Sequence, residues 1–142
     1  MNQQVQNKNE FIKLLQSTER DDVDYVIEDI ERLGFFDAPA SSRFHLNYDG
    51  GLCEHSLNVC KVALRLRDQM IDMKPELEAL LPKDSVIVAS LLHDVCKANY
   101  YQESTRNVKN KETGRWEEVP FLPSGVRIFV QFGRIIPIVF GL

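Results

Sequence analysis

No apolar run in the chain is long enough to cross a bilayer. The longest, Ile135 to Leu142, is broken by Pro137 and Gly141, and a spanning helix needs about 18 apolar residues. A basic field is also missing. Lys and Arg number 17 against 21 Asp and Glu, a net charge of −4, which excludes a broad face for duplex nucleic acid. Cysteine is sparse and odd in number, with only Cys53, Cys60 and Cys96. That argues against a disulfide framework and for a reduced, cytoplasmic protein, with the cysteines as small core fillers. Met1-Asn2-Gln3-Gln4 is polar and lacks the basic-then-apolar layout of a signal peptide. Internal repeats and low-complexity tracts are absent. Histidine is scarcest where it matters: all three lie between positions 45 and 93, and no aspartate follows Asp94.

What is present suits one globular domain. The 142 residues are 44% apolar and 27% charged, ordinary values for a soluble fold with a real core. Phe11, Ile12, Leu14 and Leu15 form a short helical stripe. Val23, Val26, Ile27, Ile30 and Leu33 form a helix face, which Asp22 can cap and Gly34 can end. Residues 35–51 read as a placing loop. A helix from Leu52 to about Met70 has so broad an apolar stripe (Val59, Ala63, Leu66, Met70, flanked by Cys53, Leu57, Cys60 and Leu64) that it is expected largely inside. Glu76 to Leu81 forms one or two turns. Pro82, Lys83 and Asp84 open a central helix expected to reach about Ala98. Beyond it, polar and β-branched residues, the turn Lys111-Glu112-Thr113-Gly114 and a returning Arg115–Pro120 read as a β-hairpin.

The chemistry centres on His93-Asp94, an ionisable pair in an apolar context that is costly unless partnered. Asp94 wants a cation; His93 wants a metal or a hydrogen-bond acceptor. The helix from Leu52 offers His55, with Gly50-Gly51 allowing close backbone approach. A His, His, Asp set suits a divalent ion such as Mn²⁺, Fe²⁺, Zn²⁺ or Ni²⁺. The plainer alternative is that each histidine is a satisfied core residue.

Gly50-Gly51-Leu52-Cys53-Glu54-His55 and, about forty residues on, His93-Asp94-Val95-Cys96-Lys97 together resemble the HD-domain metal-dependent phosphohydrolases. The closer likeness is to the small bacterial branch related to the HD domain of 3′–5′ exoribonucleases. It covers roughly residues 10–122. The resemblance implies a mostly α, HD-type helical bundle with a β-hairpin near residues 100–120. It implies a divalent metal (Mn, Fe, Zn, Ni or Mg) and hydrolysis of a phosphomonoester or phosphodiester in a nucleotide or oligonucleotide. His55, His93 and Asp94 would be the metal ligands. Lys97 would hold a phosphate oxygen, or be a solvated helix-end lysine. The same resemblance would place Arg43 and His45 in the substrate pocket, His45 alternatively being a plain loop residue. Glu54 would partner a ligand histidine or be a helix N-terminal acid.

The chain departs from that family after residue 122. The family closes its site with an aspartate from a later helix, and none is present here. The last 24 residues carry Arg127 and Arg134 as their only charges and include four phenylalanines. Residues 1–122 are therefore expected to be a partial HD domain, and 123–142 an apolar tail foreign to it, from a shifted reading frame or genuine divergence. Weaker metal binding, weakened hydrolysis and self-association through 123–142 are the expected consequences. The alternative function is a non-catalytic derivative that binds a nucleotide or a protein. A less favoured third is a structural module whose tail completes an oligomer.

Overall fold

The computed structural model describes residues 2–41, 45–99 and 104–121. Helix α1 spans Gln3–Gln16, and the Asn2 side chain accepts from the Gln4 N–H at its start. Its Asn7, Phe11 and Leu15, four residues apart, are buried; that spacing keeps them on one face. Helix α2, Val23–Arg32, buries Val23, Val26, Ile27 and Ile30. Asp22 stands at its N-cap without a side-chain capping bond, so the expected Asp cap is not made. Gly34 does end the helix. At φ +77° it lets its own N–H reach Glu31 O and the Phe35 N–H reach Ile30 O, at 2.9 and 3.0 Å. The chain then delivers Phe35 and Phe36 onto Phe11, with ring centroids 5.1 and 5.5 Å from it.

Helix α3 runs from Gly51 to Met73 and α4 from Lys83 to Leu92, with a 3-10 turn at Pro75–Ala79 between them. α4 packs on α3, and α1 packs against both. The core joins Leu52, Cys53, Leu57 and Cys60 of α3 to Ile87, Val88, Leu91 and Leu92 of α4 and to the phenylalanine cluster. Two expectations are corrected here. The second half of α3 is not inside: Val62, Leu66 and Met70 are about half exposed, because at about 100° per residue they lie across the helix from buried Leu57, while Leu64 on the covered face still packs on the core. And α4 stops at Leu92 rather than near Ala98; His93 caps it, Asp94 follows in a turn, and a separate 3-10 turn occupies Val95–Lys97. Cys96 on that turn is exposed, unlike buried Cys53 and Cys60.

The hairpin is as expected. Strand β1, Ser104–Lys109, pairs antiparallel with β2, Trp116–Phe121, from Ser104 opposite Phe121 to Lys109 opposite Trp116. Asn110 Oδ1 accepts from the N–H groups of Glu112 and Thr113 to shape the turn. The apolar tail, 123–142, lies outside the described residues. None of the helices is long and apolar enough to cross a membrane, among the described residues.

Candidate metal centre

The site begins with how tightly the chain enters α3. Gly50, at φ +81°, caps the helix, and a Cβ on Gly51 would lie 2.0 Å from the Leu46 carbonyl oxygen. Two glycines are thus what permit the 45–50 loop to fold back over the first turn of α3. That loop is fixed by backbone: Ala40 N–H donates to Leu46 O, Gly51 N–H to Tyr48 O and Leu52 N–H to Ala38 O. The Ser41 hydroxyl donates to His45 O at 2.9 Å, and Leu46 takes a left-handed φ of 53°. Tyr48 closes the rim by donating its hydroxyl to Glu54 at 2.8 Å. That bond is the first cause of a raised Tyr48 pKa, since the carboxylate favours the protonated phenol.

Three ligand atoms, one each from His55, His93 and Asp94, lie within 4.8 Å of one another. Asp94 Oδ2 is 3.4 Å from Nε2 of His55 and 3.4 Å from Nε2 of His93. These separations are long for hydrogen bonds. They match the spacing of two donors that each sit about 2.0–2.2 Å from a common ion. The break in α4 is what brings the pair together. His93 Nδ1 lies 2.7 Å from the Ser90 carbonyl; a carbonyl only accepts, so the proton belongs on Nδ1 and the Nε2 lone pair is free for an ion. Burial is the first cause of a lowered His55 pKa; the Asp94 carboxylate opposes it, and the neighbouring His93, His45 and Lys97 add to it. His55 is thereby kept neutral at neutral pH, the form that ligates. The donor set, two imidazoles and a carboxylate, fits a divalent ion.

The remaining expected site residues divide. The His45 ring centroid is 5.3 Å from that of His55, the same distance as His93 on its side, so the loop does bring His45 to the centre. The Lys97 ammonium is there too, but bound to Asp94 Oδ2 at 2.7 Å. Glu54 accepts from Tyr48 and braces the loop. Arg43 lies outside the described residues. Sequence reasoning missed the Ser90 carbonyl and the Tyr48 hydroxyl. The first has no side-chain signal, being main chain; the second had one, a tyrosine six residues before an acid on a helix start.

No protein-family profile matches the chain, and no solved structure matches it. A stretch of 65 residues is 37% identical to a protein of Methanocaldococcus jannaschii named dihydroneopterin 2′,3′-cyclic phosphate phosphodiesterase. The matched stretch is 46% of this chain and 25% of that relative. Over just under half its length, then, the chain that builds this His, His, Asp centre is similar to a phosphodiesterase.

Proposed function

We propose that the chain is a metal-dependent phosphohydrolase of the HD type, cleaving a phosphoester in a nucleotide, an oligonucleotide or a compound of that kind, a phosphodiester foremost. The observation that carries this reading is the convergence of His55, His93 and Asp94 from two separate segments, with Asp94 Oδ2 3.4 Å from both imidazole nitrogens. The cyclic phosphodiester named for the M. jannaschii relative supports the diester preference. When bound, a divalent ion supplies Lewis acidity toward a phosphoryl oxygen and acidifies water.

The chain's own residues divide the rest of the work. His55, His93 and Asp94 hold the ion, with the Ser90 carbonyl fixing the His93 tautomer. Lys97, joined by Arg43, neutralises charge that builds on the phosphoryl oxygens. His45 lines the substrate side from the loop before Gly50. Kinship with the exoribonuclease HD domains, a cytoplasmic setting and self-association through residues 123–142 belong to the same reading.

Purification without chelator, followed by elemental analysis and assay on 2′,3′-cyclic AMP and bis(4-nitrophenyl) phosphate, tests it. Wild type is expected to carry a divalent ion and to hydrolyse at least one of the two. Asp94→Ala is expected to lose the ion and at least about tenfold in rate. Equal metal content in the two proteins would sink the reading. A second reading has its own support, since three protein donors is the whole set among the described residues. It is a binding derivative, and it would show metal and nucleotide binding with no turnover.

A further inference from the structure

Asp94 Oδ2 serves three nitrogens at once: Nε2 of His55 and of His93 at 3.4 Å, and Lys97 Nζ at 2.7 Å. The contact that most resembles an ion pair is the lysine's. The Asp94 side chain is 18% exposed and that of Lys97 33%, so the carboxylate is partly desolvated and needs a cation close by. Lys97 supplies it from three residues along, its backbone N–H tied back to Asp94 O at 2.9 Å. The oxygen that it occupies is also the one that completes the His, His, Asp donor set.

We propose that Lys97 is the internal counter-ion of the metal position and couples metal binding to phosphate binding. The inference rests on the metal reading above. Without an ion, the ammonium neutralises Asp94. A divalent ion that takes Oδ2 would stand within a few ångström of the ammonium, and like charges at that range repel. The four-carbon stem lets the ammonium swing away while the backbone stays bound. It then lacks an anion, and a phosphoryl group beside the ion supplies one. Metal loading thus frees the group that binds phosphate. By linkage, phosphate must tighten the metal by the same factor.

The test measures Mn²⁺ affinity of the full chain from the electron paramagnetic resonance of free Mn²⁺, with and without inorganic phosphate. Protein-free titrations correct for manganese phosphate in solution. Wild type is expected to bind Mn²⁺ at least about fivefold more tightly with phosphate present. Lys97→Met is expected to bind about tenfold more tightly than wild type without phosphate, because the competing cation is gone, and to gain nothing from phosphate. Tenfold is the lower end for a charge-assisted hydrogen bond, chosen because Lys97 is a third exposed. Lys97→Arg should keep the coupling.

Unchanged or lower Mn²⁺ affinity in Lys97→Met, or coupling that survives it, overturns the proposal and leaves Lys97 a brace for the broken helix end. If wild type binds no Mn²⁺, or Asp94→Asn binds it equally well, the metal reading falls and this inference with it. Mn²⁺ binding that is lost in Asp94→Asn but indifferent to Lys97 overturns the inference alone.

Discussion

A methyl group on Gly51 would meet the Leu46 carbonyl oxygen at 2.0 Å. That oxygen is main chain and already accepts from Ala40 N–H, so it cannot move without taking the loop with it. Gly51→Ala is expected to cost about 3 kcal/mol, the upper range for overpacking, read as a lower urea midpoint. Gly114→Ala is the control. It has open space at its Cβ and only its φ of +67° to lose, so about 1 kcal/mol is expected. Equal effects at the two glycines would show that the Leu46 carbonyl gives way and that close approach is not what Gly51 serves. At this scale the sequence was readable. The Gly-Gly before His55 and the ionisable pair in an apolar context singled out the three residues that the structure brings together, because such groups are costly to leave unpartnered. What it hid was main chain: the Ser90 carbonyl that sets the His93 tautomer carries no side-chain identity to read.

Helix α3 shows where periodicity misleads. Its apolar residues cover two faces, Cys53, Leu57, Cys60 and Leu64 on the one that is buried and Leu66 and Met70 on the other, and the pattern alone does not say which face a neighbour covers. Leu57 lies on the covered face at 1% exposure; Leu66, about 180° around the helix from it, is 53% exposed. Leu57→Ala is expected to cost about 2–5 kcal/mol, and Leu66→Ala within about 0.5 kcal/mol of nothing. Chemical denaturation of the two variants checks this, and a large loss at Leu66 would mean that another surface covers the stripe in solution. The early stop of α4 was equally hidden. Val95 and Cys96 continue an apolar pattern that suits a helix, yet residue 93 onward is turned so that His93 and Asp94 face α3.

In the molecule as a whole, the bundle and the hairpin follow from local signals, namely apolar spacing, a glycine stop and a turn with Gly114. The centre does not, since it joins loop 45–50, the first turn of α3 and the end of α4, and their meeting is set by packing across the core. The break after Leu92 also has a kinetic side. Past it the backbone bonds among the described residues are short-range, Lys97 N–H to Asp94 O and Ala98 N–H to Val95 O. A segment bonded that way opens locally, without the helices coming apart. The His93–Asp94 pair therefore sits on a stretch expected to open locally, while His55 lies within the 23-residue helix α3. Deuterium uptake by peptides covering residues 93–98 is expected to be fast in metal-free protein and slowed by Mn²⁺, with peptides from α1 and α2 unaffected. Slowing spread evenly over all the helices would instead mark the ion as a global stabiliser. An ion held by these three side chains would be clamped between a firm wall and a breathing one, so the frequency with which the breathing wall opens, not the strength of the three bonds alone, would set how long it stays.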